Sequence, residues 1–110
     1  MTRKIIFFEN YFLDFYCKLE NKDKQKVQDV LELIRQVNRI PEKFLRQMSG
    51  YNGLYEIRIS SGSNKFRLFC SFDADKIVVL FNAFHKKSKK TPTIEILKAM
   101  KLKEKYFRLK

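Results

Sequence analysis

A chain of 110 residues with 45% hydrophobic and 15% aromatic side chains can fill one packed core and is too short for two, so a single domain over residues 1–110 is expected. Three Gly and two Pro exclude a low-complexity or fibrous chain. A formal net charge of +12 favours a phosphate backbone or an acidic protein as partner. Between residues 85 and 110, ten Lys or Arg stand against Glu95 and Glu104, so a net +8 lies in the last quarter of the chain.

At the N-terminus Arg3-Lys4 precede the apolar run Ile5 to Phe8, which Glu9 ends. That run is short for a signal peptide and far short of the roughly 20 apolar residues of a membrane span. No membrane association is expected, and the protein should act in the cytoplasm. Cys17 and Cys70 are too few for a disulfide scaffold and belong to no metal-ligand cluster, so both are read as reduced.

Lys4 to Phe8 has the composition and length of a strand. Tyr11 to Leu19 places Phe12, Phe15, Tyr16 and Leu19 on one face of a short helix. Asn21 is the expected N-cap of a second helix, in which Val27, Val30, Leu31, Ile34 and Val37 keep the helical period until Ile40 meets Pro41. The short link predicts a helical hairpin. Beyond Pro41 the period changes to two: Leu54 to Ile59 and Lys65 to Phe69 form a β-hairpin around Ser61 to Asn64. Asp73 to Asp75 turn the chain again, and Ile77 to Phe84 is apolar on both faces, as a covered strand requires. A final helix from Thr93 carries Leu97, Met100 and Phe107 on one side. The order β-α-α-β-β-β-α predicts an α+β fold, a helical hairpin on a small twisted, mainly antiparallel sheet with a C-terminal helix.

Glu56 and Arg58 point the same way on their strand, and pairing across the hairpin brings Lys65 or Arg67 opposite them. Glu56 and Arg58 alone make an ordinary strand ion pair. Arg67, between Phe66 and Leu68, must reach water or a partner. His85, the only histidine, follows the last strand and opens the basic run Lys86, Lys87, Lys89 and Lys90, with Thr91 beyond. An imidazole with a pKa near 6.5 among such cations suits RNA cleavage by the ribose 2′-OH, which needs a base, an acid and cations on the phosphorane and no metal. No Gly-rich phosphate loop, HExxH, GxSxG or paired-carboxylate signature is present. No cofactor is expected.

Gly53-Leu54-Tyr55-Glu56-Ile57-Arg58, then Phe66-Arg67-Leu68-Phe69, then Leu80 through Pro92 resemble, in order and spacing, the three sequence blocks of the phage Gp49-like, HigB-type branch of the RelE/ParE toxin superfamily. Pro92, Glu95, Ile96 and Ala99 extend the match into the last helix. The resemblance implies the RelE-like fold and the toxin of a type II toxin–antitoxin system, which cuts mRNA in the ribosomal A site and is neutralised by an antitoxin, for this branch a small helix-turn-helix protein. By position, Arg67 matches the strand arginine on the scissile phosphate, Arg58 a second strand cation, Lys87 a basic residue after the last strand, and His85 the acid or base of some relatives. Lys65, Lys86, Lys89, Lys90 and Thr91 are the implied RNA contacts. Glu56 replaces the lysine of RelE, and Thr91 or Thr93 stands nearest to its C-terminal tyrosine. Two alternatives share the residues: a ParE-like protein that binds DNA gyrase without chemistry, and a nonspecific nucleic-acid-binding module.

Overall fold

The computed structural model describes residues 2–110, and its elements follow the expected order with one strand added. They are β1 (Lys4–Phe7), α1 (Tyr11–Cys17), α2 (Asn21–Gln36), β2 (Leu45–Gln47), β3 (Tyr55–Ser61), β4 (Asn64–Asp73), β5 (Ile77–His85) and α3 (Thr93–Leu109). The sheet runs β1-β5-β4-β3-β2, antiparallel except for the parallel pair β1 and β5. The added strand, β2, holds three residues paired with Tyr55 to Ile57, too short to show a period.

Each face of the sheet has its own core. On one side Phe12 of α1 and Val27, Val30 and Ile34 of α2 pack on Ile57, Ile59, Phe66, Leu68, Cys70, Val78 and Leu80. On the other, Ile96, Ala99 and Leu102 of α3 cover Leu54, Phe69, Val79 and Phe81. β5 is therefore apolar on both faces because it is covered on both. Losing a fully buried ring such as Phe81 would cost about 3–5 kcal/mol.

The helices end where their polar groups find partners. Glu20, in extended conformation, precedes the first helical residue, so Asn21 lies inside α2 and is not its cap. The carboxylate of Asp23 in that first turn, a favourable place for negative charge, accepts hydrogen bonds from Ser61 Oγ (2.6 Å) and Asn64 Nδ2 (3.3 Å). It thereby ties the helix to the β3–β4 turn, where Gly62 adopts φ +59°. At the other end the Arg3 guanidinium donates to the carbonyls of Ile34, Val37 and Asn38 at 2.5–2.8 Å, satisfying acceptors that the last turn leaves open.

α3 buries a different stripe from the expected one. Ile96, Ala99 and Leu102 face the sheet, whereas Leu97 and Phe107 remain exposed and Met100 half-buried. The helix carries apolar residues on two sides, and the small Ala99 permits the closer approach. Both cysteines are free, Cys70 in the core, where burial pushes its thiol pKa up, and Cys17 on the surface. No helix among the described residues is long and apolar enough to cross a membrane.

The far end of α3 is held by Asp73, whose carboxylate accepts from Tyr106 Oη (2.8 Å) and Lys110 Nζ (2.7 Å). The Lys110 and Tyr106 hydrogen bonds hold its pKa below the ordinary 3.8. A group lowered on folding stabilises the native state above its unfolded pKa and loses that contribution as pH falls through the folded value. Asp73→Asn is therefore expected to lower Tm at pH 7 and to shrink the further drop in Tm between pH 4 and pH 2. An unchanged acid profile in thermal melts would contradict this role.

Candidate functional site

Within β5, Cys70 pairs with Leu80 and Leu68 with Ala83, so the two residues Phe81 and Asn82 stand where β4 offers only Phe69. This is a β-bulge. Asn82 Nδ2 donates to the backbone carbonyl and to Oε1 of Glu95 in the first turn of α3, both at 3.0 Å, which holds the extra residue against the helix. Because successive side chains alternate, one inserted residue exchanges the faces of everything that follows. Phe84 therefore joins the α3 side opposite Arg67, and Lys86 follows it. His85 turns to the helical-hairpin side opposite Phe66, with the two rings 5.0 Å apart.

On the α3 side, past the end of the helix cover, Arg58 of β3 lies directly opposite Arg67 of β4. Two guanidinium groups at paired positions repel. Glu56, diagonal to Arg67, offsets this: its Oε1 lies 3.8 Å from Arg67 Nε, both side chains are 5% exposed, and its Oε2 accepts from Thr91 Oγ1 at 3.1 Å. The ion pair thus joins Glu56 to Arg67, not to Arg58. Arg67 also donates through Nη1 to the Phe66 carbonyl (3.0 Å), yet its buried Nε–H has no hydrogen-bond partner.

Above this floor opens a groove of about 510 Å³ lined by Arg58, Lys65, Arg67, Lys86, Lys87, Ser88 and Lys89. Six of those seven residues are cations. Burial, opposed by Glu56 and reinforced by Arg58, lowers the Arg67 pKa. The Lys86 ammonium is lowered first by burial, then by Arg67, with smaller opposing and reinforcing effects of Glu56, Arg58 and Lys65. Both residues hold their charge against a local cost that an anion in the groove would remove.

Of the nine residues singled out in the sequence, the structure brings Arg58, Lys65, Arg67, Lys86, Lys87 and Lys89 to one groove. Thr91 joins through Glu56. Lys90 is exposed on the neighbouring loop, and His85, exposed at the strand end, faces away from the groove. Sequence reasoning missed Asn82, whose sole signal is a polar residue inside an apolar run. It also missed the role of Glu56 beneath Arg67. No group of three or more His, Cys, Asp or Glu among the described residues is arranged to hold a metal ion.

Residues 14–104 match the model of a family described as phage derived protein Gp49-like (DUF891). A chain from the crystal structure of the archaeal RelE-RelB complex from Pyrococcus horikoshii OT3 superposes with a TM-score of 0.58 at 16% identity, covering 77% of this chain and 96% of that one. The architecture is thus RelE-like. No curated protein sequence matches.

The buried pair makes a stability prediction. Arg67→Met leaves the Glu56 carboxylate buried and short of a cation, and an unmatched buried polar group costs about 1–3 kcal/mol. Adding Glu56→Gln should recover most of that loss in urea unfolding. Additive losses in the double variant would show that the two side chains do not act as a unit.

Proposed function

Since the chain belongs to the phage-derived Gp49-like family, we propose that its cationic groove is the cleavage site of a ribosome-dependent mRNA endoribonuclease, the toxin of a type II toxin–antitoxin pair. The observation that carries this is Arg67, its guanidinium only loosely paired with Glu56 at 3.8 Å, among the six cations that line one groove. A phosphate in the groove takes up charge from both guanidinium groups and relieves the Arg58–Arg67 repulsion. A donor held in place before the substrate arrives is what stabilises charge as it develops.

In the proposed reaction the ribose 2′-oxygen attacks the adjacent phosphorus and gives up its proton, and the P–O5′ bond breaks as the leaving oxygen gains one. The products are a 2′,3′-cyclic phosphate and a 5′-hydroxyl. Arg67 and Arg58 hold the non-bridging oxygens of the phosphorane, and Lys87 adds positive charge from the loop after β5. Lys86, which the bulge aims at the groove, is the proton carrier, taking the proton of the 2′-oxygen and returning one to the leaving 5′-oxygen. His85 is left outside this set by its orientation. Lys65 and Lys89 contact the flanking phosphates, Lys90 extends the cationic rim, and Thr91 steadies Glu56 under Arg67. The chemistry runs without a metal or cofactor.

The partners of this reading are the ribosome with its mRNA, and an antitoxin, a small helix-turn-helix protein, that covers or neutralises the groove. A structural neighbour taken from a RelE-RelB complex supports an antitoxin partner. Arg67→Ala and Arg67→Lys should each cut single-turnover cleavage of ribosome-bound mRNA by about 10²- to 10³-fold, with ribosome binding held within a few-fold. The variant Glu56→Gln/Arg67→Gln, which strands no carboxylate, should fail equally while melting near wild type. Wild-type cleavage without Arg67 would refute the site. Growth arrest with translation intact and DNA supercoiling lost would replace it with the gyrase-binding alternative.

A further inference from the structure

β2 pairs with β3 only as far as Ile57, and the last link between them is the hydrogen bond from Arg58 N–H to the Phe44 carbonyl at 2.9 Å. Past that bond the edge of β3 is uncovered, and a second groove of about 340 Å³ opens there. It is lined by Lys26 and Val30 of α2, Lys43 and Phe44 before β2, Ser60 of β3, and the same Arg58, Lys65 and Arg67 that line the first groove. The two grooves share these three cations and therefore adjoin at the sheet edge. The second groove carries five cations and no carboxylate along its lining. It differs from the first in having an aromatic wall: the Phe44 ring is half-buried, with the Lys43 ammonium 5.5 Å from its centroid.

Cations tracking a channel beside an exposed aromatic face are the means by which proteins hold single-stranded nucleic acid, the charges on phosphates and the ring under a base. We propose that this second groove is a single-stranded RNA subsite that seats the nucleotide next to the reacting phosphate, its base against Phe44 and its outer phosphate between Lys26 and Lys43. The inference rests on the cleavage site proposed above, since the shared residues Arg58, Lys65 and Arg67 fix where that phosphate lies. Phe44 is tied to Arg58 through its own backbone, so the stacking surface and the phosphate cations keep a constant spacing. Lys26 sits one turn beyond Asp23, which is anchored to the β3–β4 turn, so the far wall is fixed as well.

The test reads binding and not cleavage, so its outcome stands whatever the chemistry of the first groove. A short single-stranded 2′-O-methyl oligonucleotide, which has no free 2′-hydroxyl to attack, is titrated into the full chain by fluorescence anisotropy at about 50 and about 200 mM salt. Lys26→Glu/Lys43→Glu should weaken binding at least tenfold at low salt and make the salt slope shallower by about two. The same charge change on α3, Lys98→Glu/Lys101→Glu, should weaken it only a few-fold with little change in slope. Phe44→Leu, which keeps an apolar side chain in the core margin and removes the ring, should weaken binding several-fold with a salt slope like that of the wild type, and a melt checks that it folds. Equal effects of the two double variants, an unaltered affinity in Lys26→Glu/Lys43→Glu, or no oligonucleotide binding by the wild type would overturn the subsite. If Arg67→Ala cleaved normally while these binding differences held, the cleavage site would fall and the RNA groove would remain.

Discussion

One inserted residue in β5 decides which side chains meet at the cationic groove. Phe81 and Asn82 share the space opposite Phe69, and the amide of Asn82 is held by the carbonyl and carboxylate of Glu95. Before the bulge, Val79 and Phe81 lie under α3; after it, Phe84 and Lys86 point to that same face, Lys86 beyond the helix, in the places that strict alternation would give to Ala83 and His85. The same interaction docks the first turn of α3 on the strand, so helix position and strand register are set together. A bulge beside a functional site re-aims a side chain, and here the re-aimed residue is Lys86.

The groove in turn depends on burying an arginine. Arg67 faces Arg58 across the hairpin and has Glu56 at 3.8 Å, an arrangement that is poor as a stability device because the pair is loose, desolvated and flanked by a like charge. It is good as an anion receptor for the same reasons. Burial first, and neighbouring cations after it, lower the pKa of Arg67 and of Lys86, so both charges gain from an anion beside them. Glu56 supplies part of that negative charge and holds the guanidinium in place. A lysine in its place would add to the repulsion.

Much of the fold was legible because its signals are local. The alternation of Tyr55 to Ile59 with Phe66 to Phe69 around Gly62 marks the hairpin, and the 3.6-residue spacing of Val27, Val30 and Ile34 marks α2 and its buried face. What escaped depended on tertiary contacts. β2 is three residues long and exists because β3 offers it an edge. α3 presents apolar residues on two sides, and only the sheet chooses Ile96, Ala99 and Leu102 over Leu97 and Phe107. Arg58 and Arg67, cations on two adjacent strands, and Lys87 after the last strand were expected to lie together from their positions in the sequence, and they line one groove. The place of His85 was not legible, since the bulge that turns it away is written in one asparagine whose partner lies 13 residues further on.

The most direct measurement of this account compares His85→Gln with Lys86→Met in single-turnover cleavage of ribosome-bound mRNA, with ribosome binding and melting measured alongside. If the bulge delivers Lys86 to the phosphate, Lys86→Met loses about 10²- to 10⁴-fold in rate, with binding weakened only a few-fold, and His85→Gln cleaves as the wild type does. Loss of cleavage in folded His85→Gln with Lys86→Met unaffected would contradict the register, and with it the proposed site.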